Sequence, residues 1–424
     1  MTQPTSSLPI LLLALVLSWG TLVHAQDRLP GASVDSLLEY AREHNPEYAA
    51  MRLEADAIGE RVTPTGALSD PRFRVELMDI TRFGEQTPTL FPNRVGSTRY
   101  LLMQDVPWFG KRGLKREIAE FEAESARGRA MGSWAELSAR IKSAYAQLYY
   151  LQRNERLTRE VLDLMTRLEK IAQVRYAGGL SAQQDVIRAQ LEQTGIKTEL
   201  IALENERRQL QAQMNALLAR PASAPLAEPA QLRPVPAAER LDFAALEARV
   251  QALNPQLFSE GARIKSAEKS RALAYKNRYP DFTFGISPVQ YQNSVREWAL
   301  MAEINIPLQQ APRRAQERES ETMLSAARAR RDAVSNQLLA ELAEHLSGIE
   351  AARRIGMLTA NELLPQAELT FKAALAGYEI GKVDFFTLLD AQRQIRQARL
   401  SRIKAEVEAQ LRLAEIERLL GEEL

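Results

Sequence analysis

The stretch Gln104–Glu124 reads QDVPWFGKRGLKREIAEFEAE. An alternating segment stops at Pro107, the aromatic pair Trp108-Phe109 and Gly110 follow, and a charged, alanine-rich run then continues to Ala177. Proline ends a strand because it brings no N–H to a ladder, and glycine allows a sharp turn. The pattern predicts a strand that passes through one elbow into a helix spanning 111–177. At ~1.5 Å per residue such a helix is roughly 100 Å long, far beyond a globular domain. Helices of that length persist only against partners. A seam is present in Leu137, Ile141, Ala144, Leu148 and Leu151, and after a phase slip in Leu157, Val161, Leu164, Leu168 and Ile171. A solvated coiled coil and a membrane-anchored one both fit this helix taken alone.

The chain is written twice. Asn45-Pro46 and Asn254-Pro255 each follow an amphipathic run, and Asp70-Pro71-Arg72-Phe73 and Tyr279-Pro280-Asp281-Phe282 each open a strand-like stretch. Pro107 and Pro307 each close one. Tyr176, Gly179, Ala189 and Gln190 match Tyr378, Gly381, Ala391 and Gln392 at one constant offset. Two repeats are expected, 26–219 and 241–421, joined by a proline-rich linker at 220–240. The first holds helical segments from 34 to 68, strands near 71–79 and 97–106, and long helices 111–177 and 181–219. The second holds helical segments from 241 to 278, strands near 281–287 and 296–306, and helices 309–378 and 384–420. Residues 80–96 and 287–295 are expected as loops, and Pro365 as a kink in the second long helix. The fold class is mostly α with a small β part.

The ends and the composition narrow the setting. Leu8–Trp19 is an apolar run of signal-peptide length, followed by Val23-His24-Ala25, so residues 1–25 are expected to be a cleaved leader. There is no cysteine, hence no disulfide and no thiol for an N-terminal lipid anchor. Net charge is +1, which provides no basic field for nucleic acid. No stretch after the leader is long and apolar enough for a transmembrane helix, so strands must enter any membrane.

Those strands alternate. Phe73, Val75 and Leu77 oppose Arg72, Arg74 and Glu76, while Phe282, Phe284 and Ile286 oppose Asp281, Thr283 and Ser287. Trp298, Leu300, Ala302, Ile304 and Ile306 oppose Glu297, Met301, Glu303 and Asn305. Segment 97–106 is poorer, because Gln104 shares a face with Tyr100, Leu102 and Val106. A half-buried strand of a soluble sheet alternates in the same way. With a leader and very long helices beside them, the apolar sides are expected to face lipid. A sheet in hydrocarbon must close, and closure takes at least about eight strands. With four per chain, two copies would give eight and three would give twelve. The elbow is then expected at the membrane boundary, with Trp108 and Phe109 as interface aromatics and Lys111 and Arg112 carrying charge into water.

A leader, a doubled helix–strand–strand–helix–helix plan and a proline-rich linker resemble the TolC-like outer-membrane efflux proteins. The VPWFGKR turn at 106–112 and LLPQAE at 363–368 are similar to the branch serving heavy-metal pumps of the resistance-nodulation-division class. The resemblance implies a homotrimer in outer-membrane lipid, with a twelve-stranded β-barrel continued by a coiled-coil α-barrel in the periplasm. It also implies a periplasmic adaptor, an inner-membrane pump as partner, and a passive gated conduit with no cofactor and no catalysis. Drug efflux, protein secretion and, from another class, a periplasmic coiled-coil adaptor are the alternatives.

In that family the hairpin tips converge on a closed aperture constricted by carboxylates six and nine positions after the turn glycine. Asp185 stands six after Gly179; Thr387 and Asp390 stand six and nine after Gly381, so Thr387 departs from the acidic pattern. Asp390 is the expected ring carboxylate. Asp185 is expected to pair across hairpins, and Arg188 with a neighbouring carboxylate. At the tips, Gly178, Gly179 and Gly381 read as helix stops, Ser181 with Gln184 as a capping box, and Asp384 as an N-cap. His44 and His345 are the only histidines after the leader and lie on helical faces, so no dedicated metal site is expected. No phosphate loop or HExxH motif occurs.

Overall fold

The computed structural model of the chain describes residues 29–424 apart from 83 and 86; the leader expected at 1–25 lies outside the described residues. Each half opens with short helices. In the first these are α1 (Val34–His44), α2 (Pro46–Glu60) and α3 (Val62–Gly66), where one helical run from 34 to 68 was expected. Strands β1 (Arg72–Met78) and β2 (Ser97–Val106) lead into α4 (Lys111–Ala177) and the returning α5 (Gln183–Leu217). The second half holds α6 (Phe243–Leu253), α7 (Pro255–Lys276), β3 (Asp281–Tyr291) and β4 (Ser294–Asn305). It continues through α8 (Gln310–Leu358), a π-helical turn (Thr359–Leu363), α9 (Leu364–Glu379) and α10 (Phe385–Leu420). The segment 287–295, expected as a loop, is instead mostly strand. β3 and β4 run on to a tight turn at Gln292-Asn293, where Gln292 takes φ 56°.

The Asn-Pro pairs explain why the short helices start where they do. Asn45 caps α2 by accepting from the Tyr48 N–H at 2.9 Å, and its amide donates to Leu217 O, at the end of α5, at 2.8 Å. Asn254 repeats both contacts, with the Leu257 N–H at 2.9 Å and Leu419 O, at the end of α10, at 2.8 Å. Each asparagine therefore satisfies an orphan donor of one helix and an orphan acceptor of another. Proline at the first helical position loses no hydrogen bond.

The core is a chain of clusters along the hairpins. Leu137, Ile141, Leu148 and Leu151 pack with Leu37 of α1 and Met214 of α5. Leu342 and Ile349 of α8 pack with Val250 of α6 and Leu413 and Ile416 of α10. Toward the tips, Leu157, Val161, Met165 and Leu168 meet Ile196, Tyr378 and Leu388. Here the seam differs from the expected one: Met165 and Ala172 are buried, and Leu164 and Ile171 sit at the flank. Packing against two hairpins rather than one turns the buried stripe.

One charged cluster lies inside. Lys142 of α4 donates to Glu417 at 2.8 Å and to Glu423 at 2.9 Å, and Arg233 of the linker reaches Glu417 at 2.7 Å. Lys142 and Glu417 are both buried. Burial would raise the Glu417 pKa, but Arg233 and Lys142 hold it below its ordinary value. A depressed carboxyl contributes stability above its unfolded pKa, and loses it as pH falls through the depressed one. Glu417→Ala would leave two cations without their buried partner. It should destabilise the fold by about 3–5 kcal/mol, read as a lowered helix-melting midpoint at neutral pH. The gap to the parent protein should shrink as the medium is acidified.

Candidate functional site

The sheet has the order β1-β2-β3-β4, antiparallel throughout. Its register puts Phe73 opposite Leu102, Leu102 opposite Ile286 and Ile286 opposite Leu300, so apolar side chains share one face across all four strands. Most of them are bare. Trp298 is 70% exposed and Leu300 86%, and Phe73, Val75, Phe284, Ile304 and Ile306 are exposed as well; Leu77 and Phe282 are half-buried. Leaving a large apolar side chain in water forfeits about 1.5–3 kcal/mol, so a face of this size calls for lipid or a partner. The opposite face is polar and internally paired. Arg72 meets Asp105 at 2.7 Å, Thr283 donates to the same carboxylate at 2.7 Å, and Arg74 and Arg99 reach Glu76 at 3.3 and 3.5 Å. β1 pairs only with β2 and β4 only with β3, leaving two open edges.

Below the sheet, Gly110 has φ 82°, a left-handed conformation that favours glycine at the elbow. Lys276 donates to Phe109 O at 3.1 Å. Lys111 does not enter water, as expected from the sequence, but is buried; its ammonium donates to Asp281 at 2.9 Å and to Tyr279 O at 2.9 Å. The Trp108 N–H reaches the same aspartate at 2.8 Å. Arg112 also turns inward, donating to Gly66 O at 3.0 Å. Trp108 is half-buried, stacked on Tyr279 at 5.0 Å and Phe282 at 5.7 Å, while Phe109 is exposed. At the second elbow Ile306 and Pro307 follow β4, and the Gln310 side-chain amide donates to Pro307 O at 3.0 Å.

At the far end, Gly179 and Gly381 take φ 69° and 76°, and Gly178 caps α4. Ser181 is not the N-cap. Ala182 is, without a side-chain bond, and Ser181 points back toward Ala172 O at 3.5 Å, because the turn is still closing onto α4. Asp384 caps α10, accepting from the Thr387 N–H at 2.7 Å. Arg175 joins the two tips: it donates to Glu379 O at 2.6 Å and Leu180 O at 3.1 Å, and lies 5.0 Å over the Tyr378 ring. Arg188 lies 6.0 Å over Phe386. Asp185, Arg188, Arg175 and Asp384 thus gather with Tyr378. Thr387 and Asp390 are exposed; Thr387 touches that cluster only through Asp384, and Asp390 stands apart from it, accepting from Gln394 at 2.7 Å. Arg175 and the Lys111–Asp281 pair were missed in the sequence. One signal for Arg175 was available: the repeat aligns it with Gly377, and buried Tyr378 with exposed Tyr176, so the halves differ there.

Burial pushes the Asp185 carboxyl above its ordinary 3.8, opposed by Arg188 and reinforced by Asp384. Asp384 is held low by the N–H and hydroxyl of Thr387. A carboxyl whose pKa rises on folding favours the folded tip when protonated; that contribution, full below 3.8, is lost as pH climbs through the raised value. Asp185→Asn should therefore raise hydrogen-exchange protection of amides 178–182 by roughly threefold at neutral pH, with the gain narrowing toward about pH 4.

A family model described as outer membrane efflux protein matches residues 37–220 and 246–422. The cobalt-zinc-cadmium resistance protein CzcC of Cupriavidus metallidurans is 23% identical over 412 residues, covering 92% of this chain and 90% of that protein. The outer membrane protein VceC of Vibrio cholerae superposes with TM-score 0.77 at 17% identity, over 92% of this chain and 96% of that one. CusC superposes with TM-score 0.78 at 15% identity, over 93% of each. The CusC structure is that of a transmembrane channel. With both halves matched and the fold shared along nearly its whole length, the chain belongs to the outer membrane efflux protein family.

Proposed function

We propose that the protein is the outer-membrane exit duct of a tripartite efflux system and that its cargo is heavy-metal cations. The observation that carries the duct is the four-stranded sheet with one bare apolar face, one polar face and two open edges. Open edges cannot stand in hydrocarbon, so β4 of one copy pairs with β1 of the next until the cylinder closes. Three copies give twelve strands. The leader is removed on export. The helices descend into the periplasm, where an adaptor and an inner-membrane pump of the resistance-nodulation-division class meet the tips.

The name of the CzcC relative supports metal as cargo. In this reading the selectivity for metal belongs to the pump. Asp390 is the candidate aperture carboxylate: repeated by symmetry, exposed carboxylates in a narrow ring would attract cations. Tyr378, Asp185 and Arg188 then lie between hairpins rather than in the opening.

Native mass measurement in detergent should give three copies; a single chain stable in plain buffer would refute the shared barrel. Loss of the gene should sensitise cells to zinc, cobalt or cadmium and leave detergent and antibiotic tolerance unchanged, whereas the reverse pattern would reassign the cargo. In planar bilayers, Asp390→Ala should weaken divalent-cation block by about tenfold, on the scale of one lost charge-assisted contact; unchanged block would remove Asp390 from the aperture.

A further inference from the structure

A groove of about 770 Å³ runs across one face of the helix layer α2, α4, α7 and α8, packed side by side in that order, in the size range that accepts a small organic molecule. Its apolar lining is Ile58, Phe121, Leu273 and the exposed Met323 among alanines, with serines interspersed. Four guanidiniums line it: Arg61, Arg129, Arg263 and Arg330. Arg263 is engaged by Glu260 at 2.6 Å, and Arg129 donates only to the Ser125 hydroxyl, at 3.2 Å. Among the described residues, Arg61, Arg129 and Arg330 have no carboxylate within ion-pair distance. Two carboxylates share the lining, Glu122 and Glu319, so cations outnumber anions there. None of these groups serves the sheet, the elbow or the hairpin tips.

We infer that this groove binds an amphipathic organic anion: a flat apolar body bearing a carboxylate or sulfonate. A guanidinium presents a planar fork that matches such a head group with two parallel hydrogen bonds. The Phe121 ring and the alanines supply a surface for the body. A bare metal cation would be repelled by the arginines, and a small inorganic anion would leave the apolar lining unused. The site is therefore distinct in chemistry from the aperture carboxylates. It does not depend on what the duct exports, because it is built from helix faces within one chain.

The test uses the full chain in lipid nanodiscs, titrated calorimetrically with 2-naphthalenesulfonate, uncharged 2-naphthol and inorganic sulfate. The sulfonate should bind about tenfold or more tightly than either comparator, the scale of a charge-assisted contact. Arg61→Gln with Arg330→Gln should weaken it by about tenfold, while Arg208→Gln, an exposed change on α5 outside the groove, should not. Both groove arginines are exposed and unpaired, so the fold should survive, with helix content checked by circular dichroism. Leu273→Trp, which adds bulk to the half-buried apolar lining without changing charge, should abolish binding independently. Equal affinity for naphthol would reduce the groove to a greasy surface. Unchanged affinity in the double variant would place the anion elsewhere, and absence of binding would mean that a second copy occupies the groove. Each of these outcomes overturns the proposal.

Discussion

A carboxamide with two jobs holds this architecture together. Asn45 and Asn254 each use the side-chain oxygen to start one helix and the side-chain nitrogen to finish another. Helix ends carry unsatisfied polar groups that would otherwise need water. With both sets satisfied by one residue, α2 abuts the end of α5 and α7 abuts the end of α10 in the interior of the molecule. A broken chain can then act as long continuous columns, and the same joint built twice sets the pseudo-symmetry of the halves.

From those columns the rest follows by transmission. α7 carries Lys276 up to the elbow, where Lys111, Asp281 and the Trp108 N–H lock the first long helix to the second half's sheet strand. The lock crosses the repeat boundary, so the sheet cannot tilt relative to one half alone. At the other end Arg175 crosses the same boundary, from α4 to the tip of α9. The two halves are thus tied at top and bottom, with apolar seams in between where Val161 and Met165 meet Tyr378 and Leu388, and where Ala146 and Tyr149 meet Val407.

Much of this was legible in the sequence, for physical reasons. Period-2 alternation survives as one apolar face because antiparallel register keeps Phe73, Leu102, Ile286 and Leu300 together. Glycines at the elbow and tips marked places where backbone geometry excludes other residues. What stayed hidden depends on long-range partners. Lys111 looks like a solvated charge until Asp281, far along the chain, is beside it. Ser181 with Gln184 has the spacing of a cap, but the turn holds that serine against α4 instead. The seam beyond Leu157 shifted because a second hairpin, not visible in a local window, packs on it.

The wide turn at Thr359–Leu363 has a geometric purpose. From Pro307 to Tyr378 the second half counts 71 positions, against 69 from Pro107 to Tyr176 in the first. Each surplus residue in an α-helix would swing everything after it by about 100°. A π turn swallows a residue without breaking the rod. Downstream, Ala367, Ala374 and Tyr378 face inward again. The rod thus stays continuous while one of its two surplus residues is taken up at a single locus, like a partial vernier, and the two tips end up presenting different faces, with Tyr378 buried where Tyr176 is exposed.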